Sequence, residues 1–159
     1  MHPLLPATTA AEYAHRAAIG LERHRHVSGV VLKTRFDREK RDASLHWTSA
    51  TPGAEDQLDG NRVTEDAAEA VALAFVHVAK GWVIRRRAQR GEAADWLLRA
   101  PDARLVALEV SGIGKGRDTR RMRVKLEQVA GAKIGDDRAA CVVELPAPRA
   151  TVECVGGAS

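Results

Sequence analysis

Two acids, Asp95 and Glu109, are the residues of this sequence best suited to chemistry. Aliphatic residues at every second position from 106 to 110 predict a β-strand, and its period of two puts Glu109 and Ser111 together on the opposite face. Asp95 lies in the preceding predicted strand, so a tight turn between the strands brings the two carboxylates close together. Close carboxylates repel, and a Mg²⁺ ion, which prefers oxygen ligands and activates water, relieves that repulsion. The pair therefore predicts a Mg²⁺ site.

An ionic alternative for the same pair stays open. Arg85 or Arg87, on the adjoining predicted strand, would satisfy the two acids structurally without any metal, because a buried carboxylate needs a cation or a hydrogen-bond donor. Trp96, directly after Asp95, is expected to point into the core on the other face of the sheet.

The elements that position these acids extend from about residue 64 to residue 154. Thr64 is suited to cap a helix, apolar residues at helical spacing follow it, and Gly81 ends it. Three β-prone segments separated by turn formers then predict an antiparallel meander, and a basic helix from about Asp118 to Ala130 leads by a parallel crossover to two further strands. The predicted strands are 82–87, 94–98, 104–111, 138–145 and 149–155. The glycine-rich segment 112–116 is expected to be a flexible connector.

The N-terminal part predicts a smaller appendage. Thr9 and Glu12 have the spacing of a capping box at the start of a short helix that reaches about Ile19. Two β-like runs, 27–36 and 43–49, predict a hairpin with the charged segment 37–42 at its tip. The turn-rich stretch 51–60 is the best candidate boundary. We therefore expect residues 1–60 as a helix and hairpin packed on an α/β core of residues 61–159.

Composition limits the classes of protein to consider. The 159 residues suffice for one well-buried core, and no apolar run reaches the roughly 18 residues that a membrane helix needs. The first ten residues have no secretory pattern, so we expect a cytoplasmic protein with no membrane partner. A formal net charge of +4 permits binding to nucleic acid but does not require it.

The order of the elements and two short motifs resemble the PD-(D/E)xK nuclease superfamily over roughly residues 64 to 145. The motifs are Ala-Asp-Trp-Leu-Leu at 94–98 and Leu-Glu-Val-Ser at 108–111. The superfamily core runs helix, three-strand meander, helix, strand, with a metal-binding Asp in the second strand and an acid-x-Lys motif in the third. The resemblance implies a restriction-endonuclease-like core in which Asp95 and Glu109 hold Mg²⁺. It also implies that an acid of the first helix, here Glu69, joins them.

The sequence departs from that superfamily at one important position. Ser111 stands where the motif has its lysine, and serine carries no charge to stabilise a hydroxide or a transition state. We keep Ser111 in the predicted catalytic set and expect Lys125, on the following helix, to supply the cation; Lys115 is the second choice. The segment is also similar to uncharacterised bacterial proteins that carry a Leu-Glu-Val-Ser-Gly strand end and a Lys-Leu-x-Gln helix.

Basic residues near the two acids are predicted to contact nucleic-acid phosphates along the rim of a cleft. They are Arg85, Arg87, Arg90, Lys115, Arg117, Arg120 and Arg121. A solvated basic face that binds nothing is the alternative, since exposed charges contribute little to stability and need no structural reason.

Three functions follow from these observations. The first is a nuclease-fold protein that binds nucleic acid and acts as a Mg²⁺-dependent phosphodiesterase on DNA or RNA. The second is a catalytically inactive interaction or assembly module of the same fold, with a protein partner or as a homodimer that uses the hairpin 27–49 as a pairing edge. The third is an α/β binding protein unrelated to nucleases.

Overall fold

A computed structural model of the chain describes residues 6–53, 59–118 and 120–156. Within these residues the elements follow one another as α1 (Ala7–Arg23), β1 (Val30–Phe36), β2 (Glu39–Leu45), α2 (Gly60–Lys80), β3 (Val83–Arg87), β4 (Trp96–Arg99), β5 (Leu105–Ile113), α3 (Arg121–Ala130), β6 (Asp137–Glu144) and β7 (Arg149–Cys154). Among the helices of the described residues, none is both long enough and apolar enough to cross a membrane.

Seven strands form one mixed sheet in the order β2-β1-β7-β6-β5-β4-β3, so the predicted mixed α/β sheet with flanking helices is confirmed. Strands β3, β4 and β5 pair antiparallel as the predicted meander, and β5 pairs parallel with β6 after the α3 crossover. The N-terminal hairpin joins the same sheet, because β1 pairs parallel with β7. Strands β2 and β3 are therefore the two edges.

The turn-rich stretch 51–60, predicted as the domain boundary, falls partly outside the described residues, at 54–58. The division into residues 1–60 and 61–159 stays a prediction.

Helices cover both faces of the sheet near β5. Helix α2 packs against β5 and β6 on one face, with α1 against α2, while α3 packs on the other face. Leu108 and Val110 belong to the core beneath α2, together with Trp96, which is 4% exposed. Ala107 packs with Val129 of α3 in a second core. The predicted alternation along β5 is confirmed, and it directs the side chains of positions 107, 109 and 111 toward α3.

The predicted capping box of α1 is wrong. The helix begins directly after Pro6, and no side chain caps its first turn. Thr9 therefore lies inside the helix, where Glu12 binds Arg16 one turn later at 2.5 Å. Alanine has the highest helix propensity, and the alanines around Thr9 favour a helix that starts before Thr9, the residue predicted to cap it.

The predicted cap of α2 is also wrong, because the helix begins one turn before Thr64. Asp59 caps it, accepting hydrogen bonds from the backbone N–H groups of Asn61 at 2.9 Å and Arg62 at 3.2 Å. The Thr64 hydroxyl donates instead to the Gly60 carbonyl at 3.0 Å. The predicted end of the helix is confirmed, since Gly81 is left-handed with φ 68°.

The hairpin tip is shorter than predicted. Only Asp37 and Arg38 form the turn, and residues 39–42 already belong to β2. Asp37 adopts φ 50°, a value that asparagine and aspartate tolerate better than most residues. A charged segment is compatible with β structure here because β2 is an edge strand whose side chains stay in solvent, and edge charges discourage pairing with other chains.

Gly112 permits the close packing that holds β5 against α2. A Cβ atom at this position would lie 2.7 Å from the Thr64 carbonyl oxygen and 2.9 Å from the Ala68 Cβ atom. Gly112 and Ile113 belong to β5, so the prediction that segment 112–116 is only a flexible connector is wrong at these two residues.

We therefore expect Gly112→Ala to lower the free energy of unfolding by about 1–3 kcal/mol, because backbone atoms must move to accept the methyl group. Gly131→Ala is the matched control, since its new Cβ atom would come no closer than 3.5 Å to its nearest neighbour. Urea unfolding of both variants measures the difference. Equal losses in the two variants would contradict this packing argument.

Candidate active site

A cleft of about 860 Å³ lies where the C-terminal end of β5 meets the start of α2 and the first turns of α3. Charged residues of both signs line it. The acids are Glu65, Asp66, Glu69, Asp95 and Glu109. The cations are Arg23, Arg62, Arg87, Lys115, Arg121 and Lys125.

The pairing of β4 with β5 brings Asp95 beside Glu109. Trp96 pairs with Leu108, and the Asp95 backbone N–H donates to the Leu108 carbonyl at 3.0 Å. The next cross-strand position therefore sets Asp95 opposite Glu109. The Asp95 side chain is fixed in turn, because its Oδ2 accepts a hydrogen bond from the Val110 N–H at 2.8 Å. Both carboxyl groups line the cleft.

Helix α3 supplies the cation that faces this pair. Lys125 Nζ donates to Glu109 Oε1 at 2.6 Å and to Gln128 Oε1 at 3.2 Å. The Glu109 side chain is 3% exposed and that of Lys125 is 18% exposed, so their ion pair is largely screened from water. The ionic partner of Glu109 is thus Lys125, and the predicted alternative with Arg85 or Arg87 as its partner is wrong.

Burial raises the pKa of Glu109 above the ordinary value of a glutamate. The hydrogen bond from Lys125 opposes this effect, whereas the nearby carboxyl group of Asp95 raises the pKa of Glu109 further. Burial and the neighbouring acid thus disfavour the charged form of Glu109, and Lys125 favours it. A second cation in the cleft would favour the ionised form of both acids.

Glu69, the acid of α2 predicted as an additional metal ligand, lines the cleft but is already engaged. Arg87 Nη2 donates to its Oε1 at 2.8 Å, and Arg87 Nη1 and the Tyr13 hydroxyl each donate to its Oε2 at 3.2 Å. Among residues 6–53, 59–118 and 120–156, no three or more His, Cys, Asp or Glu side chains form a group arranged to hold a metal ion. The predicted set of Asp95, Glu109 and Glu69 is therefore not assembled.

Three of the seven basic residues predicted to contact phosphate line the cleft: Arg87, Lys115 and Arg121. Arg87 forms an ion pair with Glu69 at 2.8 Å, and its role as a phosphate contact stays a prediction. The remaining four are exposed and lie outside the cleft lining; they are Arg85, Arg90, Arg117 and Arg120.

A β-bulge explains why Arg85 and Arg87 do not act together. The register between β3 and β4 shifts between Ile84 and Arg86, so Arg85 is not paired with a residue of β4. Regular alternation, which would set Arg85 and Arg87 on one face, is broken there. Arg86 binds Glu92 at 2.7 and 2.9 Å, and Arg87 reaches Glu69.

Sequence reasoning missed the wall of the cleft formed by the end of α1 and the start of α2. Arg23 and His24 line it from α1, and Asn61 and Arg62 line it from α2. Residues 24–59 separate the two helices in the chain, and no local pattern indicates that these ends meet. Of these four residues, only Arg62 could have been found from the sequence. It stands four residues before Asp66, a spacing that favours an ion pair on a helix, and it binds Asp66 at 3.2 Å.

Ser111 lies in the cleft on the same side of β5 as Glu109 and is 9% exposed. Its hydroxyl makes no hydrogen bond to any residue of the described ranges. The hydroxyl is therefore available to a water or a ligand, although it brings no charge to the position.

Comparisons with known proteins gave no match for this chain: no protein-family model, no curated protein and no solved structure resembles it significantly.

Proposed function

We propose that this chain is a nucleic-acid-binding protein with a restriction-endonuclease-like core that hydrolyses phosphodiester bonds with Mg²⁺. One observation carries the proposal: Asp95, directly before β4, and Glu109, in β5, converge in a cleft, with Lys125 bound to Glu109. The succession α2, β3, β4, β5, α3 and β6 supports it, because it follows the element order of the PD-(D/E)xK superfamily.

The donor set fits Mg²⁺. Asp95 uses Oδ2 to accept from the Val110 N–H, and Glu109 uses Oε1 to accept from Lys125. One further oxygen of each carboxylate remains to bind a cation, and Mg²⁺ commonly takes one or two carboxylates while keeping several waters. When bound, Mg²⁺ would polarise a phosphate oxygen and lower the pKa of a coordinated water.

The side chains around the acids have separate roles in this proposal. Lys125 holds Glu109 in its orientation and places a positive charge next to the site of reaction, where negative charge develops on a phosphate. Ser111 offers a hydroxyl to orient water. Gln128 fixes the ammonium of Lys125 from the other side.

The rim supplies the attraction for a polyanion. Arg23, Lys115 and Arg121 line the cleft and form no ion pair with any acid in the described part of the chain. Cations without a partner are free to displace counterions from phosphates, so they support binding that depends on charge more than on base sequence.

A cleavage assay tests the proposal. The full chain is incubated with single- and double-stranded DNA and RNA in Mg²⁺, in Mn²⁺ and in EDTA, beside Asp95→Ala and Glu109→Ala variants. We expect cleavage that needs the metal and is lost in both variants. Cleavage that persists in both variants would eliminate the assigned site.

Salt dependence of binding tests the rim. Replacing Lys115 or Arg121 by Gln is expected to weaken binding to a labelled oligonucleotide and to reduce the slope of log K against log salt by about one for each phosphate that the variant no longer neutralises. Arg123→Gln is the control, because Arg123 is on the same helix as Arg121 but 74% exposed and outside the cleft. Fluorescence anisotropy in EDTA measures the slopes. An equal effect in the control would contradict a specific rim.

An inactive interaction or assembly module of the same fold is the second candidate. One observation favours it: the buried acid Glu109 is already neutralised by Lys125, as in a structural ion pair. Strand β2 is in addition an exposed edge at which a second copy of the chain would pair. Binding of nucleic acid without cleavage, or a homodimer that is lost when Ser44→Pro removes an outward-facing N–H group from the β2 edge, would support this function.

A further inference from the structure

The carboxylate of Glu69 lines the same cleft as Asp95 and Glu109 but is engaged by hydrogen bonds from other residues. Arg87 binds both oxygens, at 2.8 and 3.2 Å, in the two-pronged geometry that a guanidinium allows. The Tyr13 hydroxyl adds a third hydrogen bond. Glu69 is 8% exposed, so few other partners can reach it.

Arg87 is itself held in place from two sides. Its guanidinium carbon lies 5.1 Å from the centroid of the Trp96 ring, within the range of a cation–π contact. Its Nη1 also donates to the Tyr13 hydroxyl at 2.9 Å. Trp96 directly follows Asp95 in the chain, so the residue that anchors Arg87 is adjacent to a proposed ligand.

Glu69 lines the same cleft as Asp95, and the negative charges of the two side chains repel each other. Burial raises the pKa of Glu69, Arg87 opposes that rise, and the charge of Asp95 adds to it. Without Arg87, the carboxylates of Glu69, Asp95 and Glu109 would line the cleft, and Lys125 would be the one cation ion-paired with any of them in the described residues. A divalent cation relieves that kind of repulsion, and affinity for such ions rises with the number of charged ligands.

We infer that Arg87 withholds Glu69 from the ion site and thereby sets the strength with which the cleft binds a divalent cation. The inference rests on the proposed function, because it takes Asp95 and Glu109 as the primary ligands. With Arg87 in place the cleft is a two-carboxylate site that leaves room for waters, which suits Mg²⁺. Without it, Glu69 becomes a third ligand and replaces a bound water.

Metal titrations of the full chain test the inference. Arg87→Met keeps an unbranched side chain over Trp96 and removes the charge. We expect it to lower the Kd for Mn²⁺, measured by isothermal titration calorimetry, about tenfold. Europium luminescence lifetimes in H₂O and D₂O count the waters on a bound ion, and we expect one fewer in Arg87→Met. The double variant Arg87→Met/Glu69→Gln is expected to return both values to those of the wild type.

Arg121→Met is the charge control, since it removes a cleft cation that does not bind Glu69. An equal gain in affinity there, or an unchanged water count in Arg87→Met, would overturn the inference. Arg87→Lys provides a second test if Arg87→Met does not fold: one ammonium cannot hold both oxygens, so an intermediate affinity is expected, and wild-type affinity would count against the inference.

The two proposals fail in different ways. If Asp95→Ala binds Mn²⁺ as tightly as the wild type, the proposed ion site is wrong and the inference falls with it. If Asp95→Ala loses the ion while Arg87→Met matches the wild type, only the role of Arg87 is wrong.

Discussion

Glu109→Gln is expected to slow the Mg²⁺-dependent cleavage of a phosphodiester by about 100-fold or more. The substitution keeps the size of the side chain and an oxygen that accepts from Lys125, but it removes the negative charge that would hold the ion. Asp95→Asn is expected to act in the same direction, because Asp95 provides the second charge of the pair. Single-turnover rates at saturating enzyme measure the chemical step separately from binding.

Glu127→Gln is the matched control for this prediction. Glu127 is on the same helix as Lys125, 72% exposed and outside the cleft, so its loss changes the net charge equally without touching the acid pair. The control is expected to cleave at the wild-type rate. Wild-type cleavage by Glu109→Gln as well would remove Glu109 from the reaction.

Lys125→Met is expected to lower the free energy of unfolding by about 3 kcal/mol at neutral pH, in the absence of divalent ions. Its side chain and that of Glu109 are 18% and 3% exposed, so removing the ammonium leaves a buried carboxylate without its cation. Breaking such a pair costs more than the pair contributes, because the remaining charge keeps its desolvation penalty. Urea unfolding measures the loss.

The loss is expected to depend on pH. Burial raises the pKa of Glu109 above 4.5, and without Lys125 the pKa rises further. Between the unfolded and folded pKa values the folded state binds more protons, so the free energy of unfolding falls as pH rises through that window. The Lys125→Met defect should therefore fade below pH 4.5. The double variant Lys125→Met/Glu109→Gln should recover most stability at neutral pH; a defect of equal size at all pH values would exclude this cause.

The elements that form the sheet around Glu109 were predictable because their patterns are local. The aliphatic residues at alternate positions of β5 lie on the face that α2 buries, and the end of α2 at Gly81 follows from the left-handed conformation of that residue. Helix starts were less predictable. Asp59 outcompetes Thr64 as a cap, and segment 39–42 forms a strand because an edge position tolerates its charges.

The acid pair was predictable, but its surroundings were not. The antiparallel pairing of β4 with β5 fixes Asp95 near Glu109. The position of Lys125 on α3, the helix that connects β5 to β6, brings its ammonium group to Glu109. The engagement of Arg87 by Glu69 depends on a β-bulge in β3 and on Tyr13 from α1, and neither has a signature in the sequence. The position of Arg23 in the cleft likewise depends on the contact between α1 and α2, which are far apart in the chain.

Anomalous diffraction from a crystal soaked in MnCl₂ shows whether Asp95 and Glu109 bind a divalent cation, because manganese scatters anomalously and would occupy the proposed Mg²⁺ site. We expect one manganese peak at roughly 2 Å from a carboxylate oxygen of Asp95 and from one of Glu109. Carboxyl groups of Asp95 and Glu109 that point to opposite faces of the sheet, or a cleft with no peak at saturating manganese, would contradict it.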